Sequence, residues 1–189
     1  FYETEFSNVG RSVHTLAVKA TNKFEETRDV VKSYINAKHR EEIIFTKGAT
    51  EAINLVANTY GEKYIREGDE ILVTELEHHS NYVPWHYLRK KKGAIIKFAA
   101  INDVGEIDVD EFRKHITKKT KMIAFTHISN VTGTIMPVKK IIEMDILEKN
   151  GIIIIHRKKG NSDNYPKKFK VIDTKSYGLS TFVFGKKSN

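Results

Sequence analysis

The feature that most constrains this chain is a repeated alternation of short, nearly unbroken apolar runs with segments whose apolar residues recur at helical spacing. The runs cover residues 70–74, 94–100, 122–128 and 152–155, and the helical patterns between them cover 83–91, 109–116 and 138–149. A run that is apolar at almost every position suits a strand buried on both faces. Such strands separated by single helices predict βαβ crossovers. The fold class expected is therefore α/β: a mainly parallel sheet with flanking helices.

Upstream of these runs, Val13, Leu16, Ala17, Ala20, Phe24, Val30, Val31, Tyr34 and Ile35 fall mostly on one face of a 3.6-residue repeat, which predicts an amphipathic helix over residues 11–37. A short run, Ile43 to Phe45, then leads through Lys47 and Gly48 into a helical pattern of Ala52, Ile53, Val56, Ala57 and Tyr60. The order expected is strand, small-residue turn, helix, with Gly61 loosening or ending the helix. Beyond Ile155 the pattern breaks into turn formers and lysines, so a boundary is expected there: a domain over 1–155 and an off-pattern basic tail over 156–189.

Composition narrows the function classes. The chain of 189 residues has 40% hydrophobic and 30% charged residues, an ordinary balance for a domain with a core. It contains no cysteine, so it can form no disulfide, thiolate metal site or thiol nucleophile. No apolar run reaches the roughly 18 residues a bilayer demands, and no signal peptide opens the chain. A cytoplasmic location is the simplest expectation. The net charge of +8 is concentrated in the tail, where nine Lys or Arg stand against two Asp. A phosphate-backbone footprint could sit there, but no nucleic-acid motif or stacking platform accompanies it, and a solvated tail accounts for the same residues.

Three polar clusters follow three successive predicted elements. Thr46, Lys47, Gly48, Ala49 and Thr50 join the first apolar run to a helix, where backbone N–H groups and the positive helix end can receive an anion. Taken alone, a capped helix after a tight turn accounts for these residues with less chemistry. Glu77, His78, His79, Ser80 and Asn81 follow the strand that ends near Glu75, and His127, Ser129 and Asn130 follow a later one. Either histidine of the first group could bind metal, act as a base or stack on a flat ring. Adjacent loop histidines are more often solvated, and no third ligand is evident, so no metal site is assigned. Three such clusters on the carboxyl edge of one sheet converge on a single crevice, which is where open α/β sheets bind ligands.

The segments FTKGATEAINLVAN (45–58), EHHSNYVPW (77–85) and THISNVTGTIMPV (126–138) resemble, in order and spacing, the signature segments of SUF-type (group II) cysteine desulfurases of the class V aminotransferase family. SNVGRSVHTLAVKAT (7–21) resembles the same family's early helix entry. The resemblance covers about residues 7 to 155. It implies part of the large domain of a fold-type I transferase dependent on pyridoxal 5'-phosphate (PLP). It further implies an activity that converts cysteine to alanine and passes sulfur on for iron-sulfur cluster assembly, and a homodimer. By that likeness Ala49 and Thr50 seat the cofactor phosphate, His78 stacks on the pyridine ring and Asn130 hydrogen-bonds near the phenolic oxygen. Arg11 and His14 match positions beside the substrate entrance, although Gly10 stands where a His is usual.

After Ile155 the chain departs from the family. His156, Arg157, Lys158, Lys159 and Gly160 replace an Asp-Gly-Ala-Gln segment whose Asp keeps the pyridinium nitrogen protonated. A cation there reverses the required electrostatics. Residues 171–189 faintly resemble the stretch bearing the Schiff-base lysine, with Gly185 as its Gly and Lys187 as the candidate, and in a tail so rich in Lys a solvated Lys187 is the simpler reading. The family's small C-terminal domain and its sulfur-accepting cysteine are not found. The chain is thus expected to be a fragment of a cysteine desulfurase, inactive as it stands. Two alternatives are a non-catalytic dimer partner or binding protein, and a basic-tailed nucleic-acid binder.

Overall fold

The computed structural model describes residues 1–10, 14–35, 37–144, 152–158, 169–177 and 180–187, the last three segments through their backbone and the Lys170 side chain. The chain divides into two compact units, Phe1–Ile44 and Phe45–Asn189.

In the first unit, helix α1 (Thr15–Tyr34) begins where the His14 imidazole accepts a hydrogen bond from the backbone N–H of Ala17 at 3.3 Å. Ala17 and Ala20 are its buried residues, whereas Leu16, Val18, Val30 and Tyr34 are exposed. Arg40, in a single 3-10 turn (Arg40–Glu42), pairs with Asp29 of α1. The helix is shorter than the apolar spacing predicts, and Arg11 and Val13 lie outside the described residues.

The second unit is built on one six-stranded mixed sheet in the order β2-β1-β3-β4-β6-β5. Strands β1 (Glu70–Thr74), β2 (Ile95–Ala99), β3 (Thr120–Thr126) and β4 (Ile152–Lys158) run parallel, in register Leu72 to Lys97, Leu72 to Ile123 and Ala124 to Ile154. Strands β5 (Phe169–Tyr177) and β6 (Ser180–Lys187) pair antiparallel with each other, and β6 extends the sheet beside β4. The sequence reading expects no regular structure in this basic stretch. Its backbone is strand because β4 offers an open edge whose N–H and C=O groups need partners.

The alternation of side chains along a strand explains the two cores. Ile71, Val73, Met122 and Ala124 face one way and pack with Ile53 and Ala57, near helix α2 (Ala49–Val56), and with Trp85 and Leu88 of α4 (Val83–Lys92). Leu72, Ile123 and Phe125 face the other way, against Phe112 of α5 (Val109–Lys114) and Val138, Ile141 and Ile142 of α6 (Val138–Glu143). β1 is buried at all five positions, as its continuous apolar run predicts. For α6, the expected continuation beyond residue 144 lies outside the described residues.

One local expectation differs from the structure, and a second holds in one of its two forms. Ile43 to Phe45 form no strand; Ile43 is buried while Ile44 and Phe45 are exposed. Gly61 loosens its helix rather than ending it. The chain continues through a π turn (Ala57–Gly61) into α3 (Glu62–Tyr64), because the missing Cβ leaves room for Leu88, whose Cδ1 lies 2.5 Å from where that Cβ would stand.

Candidate functional site

The parallel strands place a crevice. β1 leads through α4 to β2 on one side, whereas β3 leads through α6 to β4 on the other. Connections therefore diverge between the carboxyl ends of β1 and β3, the switch point at which open α/β sheets take ligands.

The loop after β1 is anchored there by a buried carboxylate. Glu77 Oε1 accepts from the Thr74 hydroxyl at 2.6 Å and from the backbone N–H of Thr126 at 2.9 Å, and its Oε2 accepts from the Asn81 amide at 2.7 Å. Burial pushes the Glu77 carboxyl above its ordinary value, against the hydrogen bonds from Thr74, Asn81 and Thr126 that favour ionisation. Asn81 is buried and accepts from the Trp85 indole N–H at 3.2 Å. His78 is exposed. Its Nδ1 accepts from the Ser80 backbone N–H at 3.1 Å and lies 2.9 Å from the Ser80 hydroxyl, so in the neutral ring the proton is on Nε2.

α2 packs against the 3-10 turn His79–Asn81 that follows His78. At the start of α2, Gly48 has no side chain to cap the helix, and a Cβ added there would meet open space. The Lys47 N–H is taken by Glu51 at 2.5 Å, but the backbone N–H groups of Ala49 and Thr50 have no partner among the described residues. Two unpaired donors, the positive helix end and the space beside Gly48 fit a phosphate.

The loop after β3 is a tight return closed by the bridge between Ile128 and Ile135, with Gly133 at φ 73°. The buried Ser129 hydroxyl receives the N–H groups of Val131 and Thr132, both at 3.3 Å. Asn130 lies exposed in this return, and its amide makes no hydrogen bond among the described residues. His156 ends up beside the same edge, paired by register with Thr126. Lys187 is the last residue of β6, and its side chain lies outside the described residues, as does Arg11. His14 belongs to the first unit, where it caps α1.

The sequence reading singles out Glu77 only as a member of its loop. Its signal was an acid, one of the pair Glu75 and Glu77, after a buried strand, and only the pairing of β1 with β3 reveals what it holds. Among the described residues no three metal-ligating side chains cluster, and no helix is long and apolar enough to cross a membrane.

Fold and crevice together define an open α/β domain whose helix α2 begins, beside the crevice, with two backbone donors that have no partner among the described residues. The aminotransferase class-V profile matches residues 1–156, and the chain belongs to that family. It is 48% identical over 144 residues to a probable cysteine desulfurase of Mycolicibacterium paratuberculosis, covering 76% of this chain and 21% of that protein. It is 50% identical over 133 residues to a probable cysteine desulfurase of Staphylococcus aureus, covering 70% of this chain and 32% of that protein. The apo structure of a cysteine desulfurase from Thermococcus onnurineus is similar with a TM-score of 0.70 at 33% identity, over 83% of this chain and 44% of that one. The chain thus spans about a fifth to a third of the length of these curated relatives.

Proposed function

We propose that this chain forms the phosphate and ring-face side of a PLP site of the cysteine desulfurase type. The observation that carries this reading is the open start of α2, where the N–H groups of Ala49 and Thr50 face no partner among the described residues and Gly48 leaves room beside them. Ala49 and Thr50 would hold the phosphate through backbone donors, which bind an anion without selecting the rest of the molecule. His78, with Nδ1 occupied by Ser80, offers its ring to a flat partner. Asn130 would supply an amide donor from the neighbouring loop. When bound, PLP supplies an electron sink for chemistry at the α-carbon of an amino acid.

The same reading makes Arg11 and His14 substrate-side residues and Lys187 the candidate for the covalent link. It divides function at residue 155, with the basic stretch 156–189 outside the family's pattern. Cysteine as substrate, a homodimer, a cytoplasmic setting and a role in iron-sulfur cluster assembly all come from the likeness to the relatives. The exposed apolar residues Leu16, Val18, Val30 and Tyr34 of α1 favour the dimer, or a non-catalytic partner role, over an isolated chain.

Desulfuration is a different matter. His156 occupies the position at which the family has an acid, and the 189 residues hold no cysteine to take up sulfur. By that likeness, these residues by themselves are expected to form no alanine from cysteine.

The test is titration of the full chain with PLP, read by absorbance and induced circular dichroism, followed by borohydride reduction and peptide mapping. A saturable signal is expected. Thr50→Asp should weaken it more than tenfold without lowering Tm, because an acid at a helix start suits the macrodipole, worth about 0.3–1 kcal/mol, but repels phosphate. No saturable signal, or one indifferent to Thr50→Asp, overturns the site. A borohydride label confined to Lys187 identifies the linking lysine, label spread over many lysines removes that assignment, and formation of alanine from cysteine overturns the inactivity.

A further inference from the structure

Glu77 is an acid held by three hydrogen bonds and met by no cation among the described residues, at the one place where the sheet's connections diverge. It touches three pieces of chain at once: Thr74 at the end of β1, Asn81 in the turn that follows His78, and the backbone of Thr126 at the end of β3. The polarity of this chain of contacts requires two accepting oxygens at residue 77. The Trp85 indole is a donor and nothing else, so Asn81 must turn its Oδ1 toward Trp85 and its Nδ2 toward Glu77. The Thr126 N–H is likewise only a donor. Both oxygens of residue 77 must therefore accept, one from Asn81 and one from Thr126.

An amide cannot do this. In Glu77→Gln, Nε2 meets either Asn81 Nδ2 or the Thr126 N–H. Turning Asn81 over moves the clash to Trp85. Each arrangement leaves a buried donor facing a donor, and a buried polar group without a partner displaces its neighbours until water or another group reaches it.

We propose that Glu77 is a positioning residue of this crevice: its carboxyl group, accepting through both oxygens, ties the carboxyl ends of β1 and β3 together and thereby holds the loop that carries His78 in place against the PLP ring. The part concerning the ring rests on the PLP reading above; the tie itself does not. Glu77 reaches the ring only through that loop, so its removal should alter how the ring sits rather than simply whether the domain folds.

The experiment compares the full wild-type chain with Glu77→Gln and with Thr74→Val, a milder variant that removes one donor and keeps the shape. Trp85 is the single Trp of the sequence, so its indole N–H gives one unambiguous resonance. In Glu77→Gln that resonance is expected to move, and the Thr126 amide to exchange at least tenfold faster with solvent while the amides of Ile71 to Val73 keep their protection. At saturating PLP the amplitude of the induced circular dichroism should fall at least twofold, and Thr74→Val should shift each readout less in the same direction. An unmoved indole resonance and unchanged Thr126 exchange in Glu77→Gln overturn the tie, and the same result in Thr74→Val does so should Glu77→Gln not fold. Faster Thr126 exchange with an unaltered induced signal overturns the positioning of the ring. A wild-type chain with no induced signal overturns the PLP reading instead, and the Trp85 and Thr126 measurements still decide the tie.

Discussion

At the scale of single residues, two acids at opposite ends of β1 show how environment sets the behaviour of one side-chain type. Glu70, at the amino end, is buried, which by itself pushes its carboxyl up. The Thr117 hydroxyl at 2.6 Å, the Lys97 ammonium at 2.9 Å and the Thr120 hydroxyl at 3.1 Å outweigh that and hold it below its ordinary value. Glu77, at the carboxyl end, has donors but no cation among the described residues, and burial leaves it raised. The signs are opposite. A lowered folded-state value means that Glu70 contributes stability above its ordinary 4.5, lost as pH falls through the folded value; the raised Glu77 contributes below its ordinary value and loses that as pH rises. Glu70→Gln should therefore cost about 1–3 kcal/mol at neutral pH and flatten the acid limb of the stability curve, as read by urea unfolding at neutral pH and again below 4.5. An equal cost at both pH values would refute the assignment. Glu70 does not stand out in the sequence as stabilising, because the groups that decide it come from β2, β3 and the loop before β3.

At the scale of elements, the long helical stretch from Ala49 to Tyr64 owes its continuity to packing rather than propensity. Gly61 has ordinary helical angles, φ −58° and ψ −49°, so nothing in its backbone requires glycine. Space does: Leu88 of α4 is fully buried and sits where a Cβ would be. On propensity alone Gly61→Ala should stabilise the helix by up to ~1 kcal/mol. The expected result is the reverse, a net loss of about 1–2 kcal/mol from overpacking, measured by chemical denaturation. A stabilised variant would mean that Leu88 has another rotamer open to it. Strands β1 and β3 were legible because nearly all their positions are buried, and a continuous apolar run has few other uses, whereas the edge strand β2 leaves Ile95 and Phe98 exposed. The strands of the basic stretch were not, since their lysines, turn formers and short apolar groups become strand only by pairing, a contact made with residues distant in sequence.

For the whole molecule, the consequential contact is β6 against β4, which closes an edge that the parallel strands leave open. Removing residues 159–189 would leave β4, with its four consecutive isoleucines, unpaired on that side. The shortened chain is expected to associate through that edge, visible as oligomers or aggregates by light scattering, while the full chain at the same concentration stays smaller. A monomeric, folded 1–158 chain would show that the four parallel strands and their helices are sufficient alone. The outcome also bears on the basic stretch as a phosphate-backbone binder, because residues engaged in a sheet have less freedom to wrap a nucleic acid.

The sequence by itself determined the alternation of strand and helix, the class of the sheet, the family likeness and the turn at Gly48 to Thr50, because these rest on local periodicity, residue size and short ordered motifs. The tertiary structure alone decided which strand ends adjoin, what Glu77 joins, why Gly61 is glycine and where the basic stretch lies. Each of those depends on groups brought together from far apart in the chain, and no local pattern of apolar and polar residues records which partner a strand edge, a buried acid or a missing side chain will meet.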